Sequence, residues 1–118
     1  MPVTIHGIPN CDTMKRARAW LEAHGVAHEF HDYKTRGIER GTLESWVRQV
    51  GWEALLNRSG TTFRKLPEAE RAGLTEARAI ALMLAQPSVI RRPVLERDGR
   101  ITLGFSPEGY AALFGKAG

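Results

Sequence analysis

Residues 3–16 read VTIHGIPNCDTMKR, and the change of pattern in the middle of this stretch decides the fold. Val3, Ile5 and the residues between them form a short β-prone run, which Gly7, Pro9 and Asn10 break as turn residues do. From Cys11 onward Met14, Ala17 and Leu21 recur at helical spacing. Lys15, Arg16, Arg18 and Glu22 lie off that stripe, and Gly25 supplies a stop. A strand therefore feeds through a tight turn into a helix, and Cys11 stands at the start of that helix.

Downstream, residues 27–33 alternate loosely and carry Phe30 and Tyr33, which predicts a second strand and completes a βαβ unit. Gly37 and Gly41 mark a loop, and Thr42 is the expected N-cap of a helix whose face is Leu43, Trp46, Val47 and Val50, ending at Gly51. A short helix over 52–56 follows. After the polar stretch NRSGTT at 57–62, Pro67 sits in the first turn of a small helix reaching Ala72. Thr75 opens a longer helix through Ala85, closed by Pro87. Val89, Ile90, Val94 and Leu95 predict a strand interrupted by Pro93. Asp98-Gly99 predicts a type I′ hairpin turn, and residues 101–105 the return strand. Ser106-Pro107-Glu108 then reads as N-cap, first-position proline and first-turn acid of a last helix through Tyr110, Leu113 and Phe114.

The order βαβ, helical middle, ββα is that of an α/β thioredoxin-like fold. It implies a mixed four-stranded sheet flanked by helices, with an all-helical insertion at about 37–87 inside one domain spanning 1–118. The crossover makes parallel neighbours and the hairpin makes antiparallel ones.

Composition narrows the function classes. The 118 residues are 42% hydrophobic and 25% charged, as in an ordinary globular chain, and no apolar run approaches the roughly 20 residues of a membrane span. The net charge of +4 invites a nucleic-acid reading. Acidic residues interleave with the basic ones, as in PEAERAGLTEAR, so the distribution argues against it. The single cysteine cannot form an internal disulfide, which points to a reducing, cytoplasmic setting. His24, His28 and His31 lack ligand spacing, so no metal is expected. The direction of His6 relative to Cys11 stays open.

At a helix start, free backbone N–H groups and the positive helix end stabilise a thiolate, so the Cys11 pKa is expected to be low, with Lys15 and Arg16 adding to the effect. The position three residues on, where a dithiol oxidoreductase carries its resolving cysteine, is Met14. Redox turnover must then borrow an outside thiol, with glutathione the obvious small candidate. Pro93 is either an edge feature or a cis proline. Beside the cysteine of a thioredoxin-like fold, a cis proline would bring Arg92 within reach of an anion at the thiolate. Arg58 and Arg64 flank GTT in a segment expected to be a loop over the same site, or else are solvated surface charges.

Three segments in this order, IHGIPNCDTMKRARAWLE, LLNRSGTTFRKL and IRRPVLE, resemble the arsenate reductase related proteins of the thioredoxin superfamily, which include Spx-type regulators and the YffB-like group. The resemblance implies that Cys11 is the nucleophile and Arg92-Pro93 the arginine and cis proline beside it. It also implies that Arg58, or its neighbour Asn57, is an arginine position of an anion-binding loop. Two departures count against arsenate as substrate. Gly7 stands where arsenate reductases have a histidine four residues before the cysteine, and Phe105 stands where they have a third arginine on the return strand. The YffB-like members imply a glutathione-dependent thiol reductase. In that reading Cys11 and Arg92 are catalytic, Asn10, Lys15, Arg58, Arg64 and Pro93 contact glutathione, and the other partner is an oxidised thiol, with no metal, nucleotide or membrane involved. The alternative is an Spx-like regulator that binds RNA polymerase without catalysis.

Overall fold

Val3 and Ile5 point to one side of strand β1 (Val3–Gly7), and both are buried there. The computed structural model describes residues 3–115. Cys11 is the N-cap of helix α1 (Asp12–Ala23), and Gly25 follows its end at φ +68°, a left-handed conformation that glycine adopts without steric cost. Strand β2 (Glu29–Asp32) pairs parallel to β1, with Ile5 opposite Phe30 and His6 opposite His31. After the middle of the chain, β3 (Val94–Arg97) pairs antiparallel to β1 and β4 (Arg100–Leu103) antiparallel to β3, giving the order β2-β1-β3-β4. Helix α8 (Pro107–Phe114) follows β4. This mixed four-stranded sheet with its βαβ and ββα halves is the thioredoxin-like arrangement.

The chain divides into two compact units, one built from the described residues up to Asp32 and from Arg92 onward, the other Tyr33–Arg91. In the first unit, Val3, Ile5 and Leu95 of the sheet pack with Met14, Ala17, Trp20 and Leu21 of α1 and with Tyr110 and Ala111 of α8. The turn between β3 and β4 has Asp98 at φ 53° and Gly99 at φ 81°, the two positive values that a type I′ turn requires. Ser106 accepts a hydrogen bond from the Gly109 N–H at 3.0 Å and so caps α8.

The second unit is helical: α2 (Tyr33–Arg36), α3 (Arg40–Val50), α4 (Trp52–Leu55), α5 (Thr61–Arg64), α6 (Glu68–Arg71) and α7 (Glu76–Ala85), then a 3₁₀ turn at Pro87–Val89. Leu43, Trp46 and Val47 of α3 are buried with Ala79, Ile80 and Met83 of α7. The fully buried Tyr33 donates its hydroxyl proton to the Ile90 carbonyl at 3.1 Å, which ties the first residues of this unit to its last.

Several local expectations are corrected. Tyr33 starts a helical turn instead of ending a strand. Thr42 and Gly41 lie inside α3, whose N-cap is Glu39. Pro67 is the N-cap of α6 and not a residue of its first turn. The stretch at 61–64, read as loop, is the helical turn α5, with Phe63 buried. Val89 and Ile90 are not strand. Val89 ends the 3₁₀ turn, and Ile90 makes only an isolated bridge with Leu56. Phe105 lies beyond β4, because Gly104 at φ +74° turns the chain out of the strand.

Candidate active site

The start of α1 and the turn before β3, both in the first unit, bring Arg92 to Cys11. Cys11 has extended backbone angles, φ −128° and ψ 127°, and its carbonyl accepts the first helical hydrogen bond from the Lys15 N–H at 3.0 Å. Its thiol, partly exposed, closes no capping hydrogen bond of its own. The two N–H groups that a capping side chain would satisfy, those of Thr13 and Met14, are therefore available to the sulfur. Burial is the largest single influence on the Cys11 pKa and pushes it up. The Met14 N–H, the Arg92 hydrogen bond, the Thr13 N–H and the Arg92 charge together outweigh burial and hold the thiol below its ordinary value. Lys15 is not among the groups that move it.

Arg92 is held beside Cys11 by the turn that precedes β3. The Arg92-Pro93 peptide bond is cis, Pro93 is buried, and its carbonyl accepts from the Gly104 N–H at 2.9 Å. Asn10 and Lys15, on either side of the cysteine, are exposed. These five residues, with Cys11 and Arg92 at the centre, belong to one unit. Arg58 and Arg64 belong to the other unit. Both are exposed; the Arg58 guanidinium lies over the Trp52 ring, 5.7 Å from its centroid, and Arg64 ends α5. Phe105 packs on Tyr110 with ring centroids 4.8 Å apart, and the Arg16 guanidinium lies 5.6 Å from the Phe105 centroid.

Residues 6–113 match the sequence profile of the ArsC family, nearly the whole chain. The chain belongs to the ArsC family. A solved structure described as a YffB protein is 59% identical, covers 93% of this chain and 96% of its own, and superposes with a TM-score of 0.89. An arsenate reductase (ArsC) related protein from Brucella melitensis is likewise 59% identical, covering 97% and 95% with a TM-score of 0.77. The global transcriptional regulator Spx of Streptococcus mutans is 29% identical over 113 residues, 94% of this chain and 82% of its own. This ArsC-family chain is thus a thioredoxin-like protein related both to arsenate reductase related proteins and to Spx.

Sequence reasoning did not single out the Thr13 and Met14 N–H groups as thiol partners, although an N-cap at Cys11 makes them the second and third helical positions, whose N–H groups a cap serves. It also left His6 open. His6 is buried and sits on the β1 face opposite Ile5, away from the core that carries α1. Its Nε2 donates to Glu96 Oε1 at 3.0 Å, since a carboxylate can only accept, and its ring meets that of His31 edge-on at 5.3 Å.

Burial is the main reason that His6 titrates below its ordinary value; Glu96 opposes the shift and His31 adds to it. The folded protein thus resists a proton that the unfolded chain takes up at about pH 6.5, so this contribution to stability is complete above that pH and falls as the pH drops toward the folded-state value. Urea unfolding at pH 7.5 and pH 5 is expected to show a larger loss in the parent than in His6→Gln. An equal loss in both would exclude His6 as its source.

Among the described residues no cluster of three or more histidine, cysteine or acidic side chains could hold a metal ion. No helix among them is long and apolar enough to cross a membrane.

Proposed function

We propose that this protein is a monothiol reductase that works with glutathione in a reducing, cytoplasmic setting. The observation that carries the reading is a partly exposed Cys11 held below its ordinary pKa by Arg92 and a helix start, in a chain with no second cysteine. With a glutathione mixed disulfide as substrate, the Cys11 thiolate attacks the glutathione sulfur. The old S–S bond breaks, the substrate leaves as thiolate and takes up a proton, and Cys11 is left disulfide-bonded to glutathione. A second glutathione, as thiolate, attacks that bond, regenerating Cys11 and leaving as oxidised glutathione. One glutathione thiol is thus consumed per turnover, and it leaves paired with the glutathione that the substrate already carried. Arg92 and Lys15 are the cations of this unit suited to the glutathione carboxylates, with Asn10 and Pro93 lining the approach.

Arsenate is not the proposed substrate. Gly7 brings no histidine to the thiol, and Phe105 brings no guanidinium.

Mass spectrometry after brief exposure to oxidised glutathione tests the reading. A one-to-one adduct at Cys11, absent in Cys11→Ser and discharged by reduced glutathione, is the expected result. A parent that stays unmodified, or an adduct that reduced glutathione does not release, overturns it. The relation to Spx would then favour the second reading, a regulator that docks on RNA polymerase without turnover.

A further inference from the structure

The two positions where the chain departs most from a dithiol or arsenate-reducing site, Gly7 and Met14, are in contact. Gly7 is the last residue of β1, and a Cβ built on it would overlap the Met14 sulfur and lie 2.8 Å from its Cε. Met14 is fully buried in the sheet-facing core, so its side chain has no solvent to swing into. The absence of a side chain at position 7 is what makes room for a long one at position 14, and the flexible thioether suits so irregular a gap.

Position 14 is also the third residue of α1, in the turn whose N–H groups face the thiol. First turns fray unless something ties them down, and the usual tie is a capping oxygen. Cys11 supplies none. The Met14 side chain, seated against Gly7, ties this turn to the strand before it. We propose that Met14 is a positioning residue for Cys11: its contact with Gly7 holds the first turn of α1 so that the Thr13 and Met14 N–H groups stay aimed at the sulfur. Gly7 and Met14 then form one device, in which a side chain at 7 displaces Met14 and a smaller residue at 14 frees the turn. The inference rests on the reading of Cys11 as an activated thiolate.

Thiolate absorbance followed against pH tests it, with urea unfolding measured on the same variants. Met14→Ala and Gly7→Ala are each expected to raise the Cys11 midpoint by about half a pH unit or more, less than the loss of a whole charged hydrogen bond would give. Met14→Leu, close in volume, is expected to titrate as the parent does. Gly7→Ala combined with Met14→Ala should raise the midpoint by less than the two single changes added together, because both act on one contact. A role in core packing alone would lower stability while leaving the midpoint where it is, and that result in a folded Met14→Ala overturns the proposal. Should Met14→Ala fail to fold, an unmoved midpoint in Gly7→Ala overturns it equally. A parent midpoint already at the ordinary thiol value would instead bring down the activated-thiolate reading, and this inference with it.

Discussion

Arg92→Ala is expected to form the glutathione adduct about tenfold more slowly than the parent at pH 7, or slower still. Two effects act together. Arg92 helps to hold the Cys11 thiol below its ordinary value, so without it less of the protein is thiolate at neutral pH. In the proposed reading the guanidinium also binds a glutathione carboxylate. A charge-assisted hydrogen bond contributes roughly 1.5 to 3 kcal/mol, and 1.4 kcal/mol is a factor of about ten. Repeating the reaction above the ordinary thiol pKa separates the two, because both proteins are then fully thiolate and any remaining gap measures carboxylate binding. Arg100→Ala, an exposed change at the start of β4, is the control and is expected to react at the parental rate. Arg97 is not a suitable control, since it donates to the Leu113 carbonyl and lies over the Phe114 ring. Equal rates for parent and Arg92→Ala would remove Arg92 from the site.

The largest loss of stability is expected from Ile5→Ala. Ile5 is fully buried in β1, with Phe30 opposite it on one side and Leu95 on the other. Truncating a buried isoleucine costs about 2 to 5 kcal/mol through lost burial and the cavity left behind, a large part of the roughly 5 to 15 kcal/mol that holds a domain folded. Ile5→Val should cost only about 0.5 to 1.5 kcal/mol. Urea unfolding of the two variants decides, and an Ile5→Ala cost under about 1 kcal/mol would show that this strand face is not the centre of the core.

The elements readable from the chain were those fixed by short-range chemistry. Asp98-Gly99 suits the positive φ values of its turn, Ser106-Pro107 caps α8, Thr75 caps α7, and Cys11 stands where the helical spacing begins. Misreadings arose where local preference and tertiary context disagree. Val89 and Ile90 are β-branched and adjacent to Val94 in character, yet the chain between them turns through Arg92-Pro93, and only Val94 onward finds ladder partners. Gly60 and two threonines read as loop, but burial of Phe63 draws 61–64 into a helical turn. At the site, the place of Cys11 was legible from its neighbours. The seat of Met14 against Gly7 was not, because Gly7 reads as the beginning of a turn although it still belongs to β1. The bond between His6 and Glu96 joins residues too far apart in sequence for any spacing rule to pair them.

That separation of ninety positions has a consequence for the order in which the protein comes into being on the ribosome. Strand β1 and Cys11 emerge first, while β3 and Arg92 emerge only after the whole helical segment of Tyr33–Arg91. Until then β1 lacks its central neighbour and closing so long a loop must wait, so contacts of this kind form late. A nascent chain therefore carries Cys11 before the guanidinium that hydrogen-bonds to it. The hydrogen bond and the charge through which Arg92 lowers the Cys11 pKa thus come only after some eighty further residues have been added to the chain.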